Sequence, residues 1–189
     1  ALMCVVAYHL LLRTGEMFGV RAGDLTFDSA GAAGIVALGQ TKTSQRQGVN
    51  SAVTVEDTAV AWILSSLASD LRPGDRLLSC AQGAWRKQLI QLVAALDLTC
   101  LHIRGYSLRR GGATTHFRIH NSFDSTVERG RWASLSTARQ YLEDAAAQTA
   151  TMAVPEGQRA QLSILGQEFR DYVVQLIGEK AVTDSPLFS

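Results

Sequence analysis

The sequence has little cysteine, no long hydrophobic run and almost no net charge, and each absence excludes a class of protein. Its three cysteines, Cys4, Cys80 and Cys100, include no CxxC pair. That argues against a disulfide framework or a zinc site and predicts a reducing, intracellular compartment, the nucleus if the host is eukaryotic. No apolar stretch approaches the about 20 residues of a membrane span. We therefore expect no membrane partner, no metal and no cofactor.

The chain opens inside an apolar segment, ALMCVVAYHLLL, without an initiator methionine. This segment lacks the basic region and the small-residue cleavage site of a signal peptide. We interpret residues 2–12 as a core helix that is cut into at its start. The chain is therefore expected to be a fragment of a longer protein.

The net charge of +1 hides an uneven distribution along the chain. Between residues 101 and 140 seven arginines stand against two acidic residues, a local balance of +5. From residue 141 onwards seven acidic residues stand against three basic ones, a balance of −4. A basic block in a nearly neutral chain is typical of a surface that binds a polyanion, and double-stranded DNA is the expected partner. A solvated arginine-rich surface is the alternative that counting leaves open.

Hydrophobic periodicity predicts an α+β fold that is mainly α, with one sizeable core and a small antiparallel three-stranded sheet. The strands are predicted at residues 24–28, 34–39 and 48–55. Helices are predicted at residues 2–12, 16–20, 56–69, 83–96, 107–116, 136–150 and 157–177, with a shorter one beginning near 124. Ser107, Asp124 or Ser125, and Ser136 are the predicted N-caps.

Four short segments carry the residues with chemistry: RTGE (13–16), TKTSQR (41–46), YSLRRGGAT (106–114) and GRWASLSTARQY (130–141). Together and in this order they resemble the catalytic domain of the tyrosine recombinases, the phage-integrase-like enzymes that cut and rejoin DNA. The RRGGAT segment is most similar to recombinases of eukaryotic mobile elements of the Crypton and DIRS-like kinds. The resemblance covers nearly the whole chain. It implies a helical tyrosine-recombinase catalytic domain that performs site-specific recombination or integration through a 3′-phosphotyrosine intermediate.

The resemblance assigns catalytic roles to Arg13, Lys42, Tyr106, Arg109, Trp132 and Tyr141. The two arginines would hold the non-bridging phosphate oxygens, and the lysine would act as general acid for the leaving 5′-oxygen. The tryptophan would pack against the phosphate and donate its indole N–H. Tyr141, nine residues after Trp132, would be the nucleophile. Glu16 would orient these arginines without contacting the phosphate itself.

The chemistry explains why these residue types are needed. Cutting DNA without metal or ATP while conserving the bond energy requires a covalent intermediate, which a phenol oxygen can form with phosphorus. Negative charge then grows on two non-bridging oxygens, and guanidinium forks hold such oxygens in a geometry that lysine cannot reproduce. Removing one preorganised donor of this kind costs about 10²–10³ in rate.

A second group of arginines is expected to contact the DNA backbone: Arg46, Arg104, Arg110, Arg118 and Arg131. Solvated surface is the alternative for Arg104 and Arg118, and a direct role in the chemistry is the alternative for Arg110 and Arg131. Arg46 is also a nearby substitute for Lys42 as general acid. His116 and His120 lie four residues apart but have no third ligand in sequence, so we expect DNA-facing or solvated histidines rather than a metal site.

Two positions depart from the family pattern. Tyr106 stands where a histidine begins the usual His-x-x-Arg box, and Leu10-Leu11 replaces a Thr-Gly pair before the first arginine. A phenol keeps its proton until about pH 10 and is a poor proton acceptor at neutral pH. Activity is therefore expected to be reduced or dependent on context. The alternatives are a domesticated copy that binds DNA without cutting it, a type IB topoisomerase-like enzyme, and a helical interaction module with a basic face.

Two units are predicted along the chain: a catalytic domain at residues 1–154, and a C-terminal helix and tail at 155–189. The apolar stripe of the last helix needs a partner surface. The resemblance implies that this helix docks on a neighbouring protomer in a tetramer on DNA. Packing on its own domain is the alternative.

Overall fold

The computed structural model describes residues 1–39, 51–139, 154–183 and 185. The helices are α1 (Leu2–His9), α2 (Thr14–Gly19), α3 (Thr58–Ala68), α4 (Gln82–Ala95), α5 (Gly105–His120), α6 (Phe123–Gly130), α7 (Leu135–Arg139), α8 (Glu156–Ile177) and α9 (Glu179–Thr183). Short 3₁₀ turns lie at Ala22–Asp24 and Thr99–Leu101, and the strands are β1 (Leu25–Phe27), β2 (Gly34–Leu38) and β3 (Ser51–Val55). The predicted fold class, mainly helical with a small three-stranded sheet, is confirmed.

The sheet is antiparallel in the order β1-β2-β3, with Leu25 opposite Val36 and Val36 opposite Val53. Alternate residues of the two longer strands face opposite ways, as a pleated backbone requires. Val36 and Val53 are buried, whereas Ile35 is half exposed. One face of the sheet therefore covers the helical core and the other faces outward.

The core is built around α1 and α3. Val6 and Leu10 near α1, and Val60 and Ile63 in α3, have no exposed surface. Asp57 is the N-cap of α3, one residue after the predicted start of this helix, and its carboxylate accepts the backbone N–H of Val60 at 3.0 Å and so satisfies one donor of the first turn. Among the described residues, no helix combines the length and apolar character that crossing a membrane takes.

The predicted end of α1 is wrong by three residues. The helix was expected through Leu12 but ends at His9, because the backbone turns at Leu11 into the left-handed region with φ of 49°. Apolar periodicity continues to Leu12 because Leu10, Leu11 and Leu12, which follow the helix, are all buried. Apolar periodicity in a sequence indicates which residues are buried, and here the buried residues continue for three positions beyond the end of α1.

Three predicted helix starts also shift. α5 begins at Gly105, and the Ser107 hydroxyl accepts the backbone N–H of Arg104 at 3.0 Å from inside the first turn. α6 is capped by Ser122, and α7 has the Ser134 hydroxyl accepting the N–H of Thr137 at 3.2 Å. Neighbouring polar residues have similar cap propensities, so the sequence alone does not choose between them.

The C-terminal helix packs on its own domain in this structure. Val173 and Ile177 of α8 and Val182 of α9 are buried in the same cluster as α1 and α3. The Ser185 hydroxyl donates to the Asp57 carboxylate at 2.7 Å. Docking on a neighbouring protomer stays a prediction.

Candidate functional site

Arg109 is the most buried arginine of the described residues that the sequence assigned to chemistry. It lies in the second turn of α5 and is 3% exposed. Its Nη1 donates to the carbonyl of Leu11 and its Nη2 to the carbonyl of Gly130. The guanidinium carbon lies 4.7 Å from the centre of the Trp132 ring, a cation–π distance. The end of α1 and the end of α6 therefore hold this side chain from two sides.

Arg13 reaches the same turn from another direction. It is the N-cap of α2, and its Nη2 donates to the carbonyl of Arg131 at 3.3 Å. Arg13 and Arg109 thus bond consecutive carbonyls, those of Arg131 and Gly130. The Arg13 side chain keeps 42% of its exposure, so its guanidinium also faces solvent.

Glu16 lies behind Arg13, with 2% of its side chain exposed. Its Oε1 accepts Nη1 of Arg13 at 2.7 Å, and its Oε2 accepts the backbone N–H of Arg13 at 2.7 Å and Nη2 of Arg131 at 2.8 Å. Burial alone would raise the pKa of this carboxyl, but the Arg131 guanidinium and the N–H groups of Arg13 outweigh it. The pKa of Glu16 therefore lies below its ordinary value, and the carboxylate is charged at neutral pH.

Two glycines permit the close packing that builds this site. A Cβ at Gly130 would lie 1.9 Å from the Trp132 ring, so only glycine lets the indole fold against the last turn of α6. A Cβ at Gly112 would lie 2.0 Å from the carbonyl oxygen of Tyr8, so α5 can touch the backbone of α1 only at a glycine. The close approach at Gly112 is thus made by the protein's own backbone.

Tyr106 lies in the first turn of α5, one turn before Arg109, and is 52% exposed. It lines an open groove of about 590 Å³ together with Thr14, Arg86, His102 and Arg104. Thr14, which lines this groove, follows Arg13 in the chain. The charged residues that line the groove are basic.

His116 and His120 stack in α5, with ring centres 4.2 Å apart. Nδ1 of His116 shares a hydrogen bond with the Thr126 hydroxyl at 3.0 Å. Burial, followed by the neighbouring charges of His120 and Arg129, lowers the pKa of His116 to about 4. Within the described residues, no three His, Cys, Asp or Glu side chains lie close enough to share a metal ion.

The remaining predicted residues fall into two groups. Lys42, Arg46 and Tyr141 lie outside the described residues. Arg104 at the start of α5 and Arg118 in its last turn are exposed, and Arg110 is half buried. The DNA contacts assigned to these residues stay predictions.

One basic surface was missed by counting charges between residues 101 and 140. Helix α4 exposes Arg86, Lys87, Gln88 and Gln91 and contains no acidic residue. Arg86 lines the groove beside Tyr106. The acid-free segment AQGAWRKQLIQLVAA was the signal in the sequence that could have found it.

Comparisons with known proteins address the fold. No family model and no curated protein matches the chain. A crystal structure of XerH site-specific recombinase bound to palindromic difH substrate, a post-cleavage complex, superposes with a TM-score of 0.52 at 18% identity over 80% of this chain. The pre-cleavage complex of XerH with difH substrate gives a TM-score of 0.50 at 17% identity over 79%.

This chain covers 44% of each XerH chain, less than half its length. At such low identity the likeness concerns the arrangement of helices and strands. That arrangement also brings Arg13, Arg109 and Trp132 together from three separate segments. The chain therefore has the fold of a tyrosine-recombinase catalytic domain.

Proposed function

We propose that this domain cleaves and rejoins DNA strands through a 3′-phosphotyrosine intermediate, as a site-specific recombinase or integrase. The observation that carries the proposal is the convergence of Arg13 and Arg109 on consecutive carbonyls beside Trp132. The three residues come from distant segments, and each matches a different piece of the family pattern. A structural role for any one of them alone would not require the other two at the same turn.

The charge of the cluster suits the proposed reaction. Arg13 and Arg131 bond the buried carboxylate of Glu16, and Arg109 bonds the carbonyl of Gly130, the residue before Arg131. Three guanidinium charges and one carboxylate charge leave an excess of two positive charges. A phosphodiester carries one negative charge and its pentavalent transition state about two, so the excess favours the transition state.

The proposed step places a phenol and an amine on either side of the phosphorus. The Tyr141 phenol loses its proton to solvent water and its oxygen forms a bond to phosphorus, the bond to the 5′-oxygen breaks, and Lys42 supplies that oxygen with a proton. Arg129 in α6 supports the strand that follows the Lys42 segment, since its Nη1 donates to the carbonyl of Thr54 in β3 at 2.9 Å.

The basic surface formed by α4 and Arg104 supports the part of the proposal that concerns binding of duplex DNA. The XerH structures of similar fold are complexes with their difH substrate. In this chain the acid-free face of α4 and the exposed Arg104 lie beside the groove that begins at Tyr106. Arginine and lysine on such a face neutralise phosphates without reading sequence. Assembly as a tetramer on DNA, and origin in a Crypton or DIRS-like element, belong to the same proposal.

A DNA-binding protein that no longer cuts is the second candidate. Tyr106 favours it, because an exposed phenol replaces the histidine of the family pattern next to the phosphate site. This candidate needs the basic surface but neither Lys42 nor Tyr141.

A suicide-substrate assay separates the two candidates. The full chain is incubated with nicked duplexes of randomised sequence, and covalent protein–DNA product is measured on a denaturing gel. We expect a band that is lost in Tyr141→Phe and reduced about 10²–10³-fold in Arg109→Lys. Arg110→Lys is the matched control, because a lysine still neutralises a backbone phosphate.

DNA binding is measured in parallel by gel shift at two salt concentrations. Binding without any covalent band would exclude the recombinase and support the inactive binding module. A band that survives Tyr141→Phe would exclude only this choice of nucleophile.

A further inference from the structure

Arg131 makes its contacts inside the protein. Its Nη2 donates to Glu16 Oε2 at 2.8 Å and to the Leu11 carbonyl at 3.2 Å. Its Nη1 donates to the carbonyls of Leu10 at 3.4 Å and Arg129 at 3.2 Å. Of the five N–H groups of a guanidinium, four are aimed at these acceptors and the fifth, on Nε, is buried. The side chain keeps 14% of its exposure.

The Glu16 carboxylate is shared between two arginines. Arg13 gives it one side-chain N–H, from Nη1 to Oε1, and Arg131 gives one to Oε2. An isolated arginine and carboxylate prefer two parallel bonds, one to each oxygen. Arg131, together with the backbone N–H of Arg13 at 2.7 Å, occupies the oxygen at which the second of those bonds would form.

The consequence concerns the availability of Arg13. A bidentate pair with Glu16 would turn both ends of the Arg13 fork inward and cancel its charge. With Arg131 in place, Nη2 of Arg13 reaches only as far as the Arg131 carbonyl, at 3.3 Å, and 42% of the side chain is exposed. The guanidinium thus keeps an edge that can turn to an incoming phosphate.

We propose that Arg131 is a positioning residue: by holding Oε2 of Glu16, it limits Arg13 to one bond with that carboxylate and keeps Arg13 available to the scissile phosphate. This inference rests on the proposed cleavage reaction. It assigns Arg131 a role different from the DNA-backbone contact expected from its position in the sequence.

The test compares Arg131→Gln with the double variant Glu16→Gln/Arg131→Gln in single-turnover cleavage of the suicide duplex. We expect Arg131→Gln to lower the cleavage rate about 10–100-fold, because misplacing a reacting group by about 1 Å costs about that much, while the Kd for DNA changes by less than about twofold. The neutral amide in the double variant no longer attracts Arg13, so it should regain about tenfold of the lost rate. Arg72→Gln, at an exposed arginine outside the site, is the matched control for charge.

Melting temperatures of all variants identify losses that come from unfolding, and Arg131→Lys, which keeps the charge, provides a second variant. A double variant no faster than Arg131→Gln would overturn the inference. So would a weakened Kd with an unchanged rate, the result that a direct DNA contact predicts.

A second readout does not depend on cleavage. Phenylglyoxal modifies accessible guanidinium groups, and peptide mass spectrometry reports the rate at Arg13 alone. We expect slower modification of Arg13 in Arg131→Gln than in the unaltered chain, and recovery in the double variant. Equal rates in all three would overturn the inference even if cleavage is observed. The expected pattern without any covalent DNA product would instead retain the positioning of Arg13 and reject the proposed reaction.

Discussion

Leu11 shows how one backbone conformation shapes the site at the scale of a residue. It adopts φ of 49°, a conformation that costs a non-glycine residue about 1–2 kcal/mol. The turn presents its carbonyl to both Arg109 and Arg131. The family pattern has glycine here, which adopts the turn without strain. The leucine side chain is fully buried, and this burial offsets the cost of the turn.

Tyr106→His tests the departure from the family pattern. A histidine at this half-exposed position can accept the nucleophile's proton near neutral pH, since its reference pKa is about 6.5. We expect cleavage at pH 7.5 to rise about tenfold or more. The new rate should fall as the imidazole protonates below about pH 6.5, which a pH–rate profile measures.

Tyr106→Phe is the matched control, because it removes only the hydroxyl. A histidine variant no faster than the phenylalanine variant would show that the residue does not act on the proton.

His116→Gln tests how the lowered pKa of His116 in α5 affects the stability of the protein. The folded state holds the pKa of His116 at about 4, below the unfolded value of 6.5, so the unfolded chain binds the proton more readily. The stability this histidine provides is therefore complete above pH 6.5 and is lost as the pH falls towards 4. We expect the unfolding free energy from urea titration to drop less between pH 7 and pH 4.5 in the variant. An unchanged slope would contradict the half-buried, neutral imidazole.

At the scale of elements, the crossing of α1 and α5 decides where Arg109 lies. The two helices are in contact at Gly112, where the Tyr8 carbonyl oxygen occupies the space that a side chain would need. The Tyr8 hydroxyl also hydrogen-bonds to the Thr115 hydroxyl. Because α5 carries Arg109 one turn earlier, any separation of the helices would move its guanidinium away from the Leu11 carbonyl. The packing of α1 against α5 therefore determines the position of Arg109 in the site.

Gly112→Ala should separate this crossing, since its Cβ would meet backbone that cannot rotate away. We expect a loss of about 1–3 kcal/mol in unfolding free energy, measured by urea denaturation. At Gly111 the nearest atom is in the Tyr8 ring, 3.0 Å away, and a ring can shift. Gly111→Ala is the matched control and should cost much less, because alanine also favours the helix by about 1 kcal/mol. Equal losses would contradict the crossing.

At the scale of the whole molecule, the C-terminal helices close the fold. Val173, Ile177 and Val182 are buried with the first and third helices, so residues far apart in the chain complete one core. The remaining face of α8 exposes Ile164, Leu165 and Tyr172. One side of α8 therefore belongs to this domain, while the other remains open to a partner.

Val173→Ala tests whether α8 packs on its own domain in solution. Truncating a fully buried valine should lower the unfolding free energy by about 1–3 kcal/mol at any protein concentration. Ile164→Ala, at a position 62% exposed on the same helix, should cost less than about 0.5 kcal/mol. A loss at Val173 that shrinks as the protein is diluted would indicate that the helix docks on a second copy instead.

The sequence by itself determined the order of the elements and predicted which residues carry the proposed chemistry. The three strands, the Asp57 cap and the mainly helical class follow from local patterns of burial and capping, which short windows contain. The identities of Arg13, Arg109 and Trp132 follow from motifs. That these three residues meet at one turn does not follow from the motifs, because no motif contains information about where the other two lie in the fold.

The tertiary structure alone decided the partners of those residues. The bond from Arg131 to Glu16 joins positions 115 apart in the chain, and the bond from Arg109 to Leu11 joins positions 98 apart. No local pattern contains such a pair, since a guanidinium satisfies its N–H groups wherever the fold supplies an acceptor. Hence Arg131 resembled a DNA contact in sequence, and only the packing of α1, α2 and α6 revealed it as part of the protein's interior.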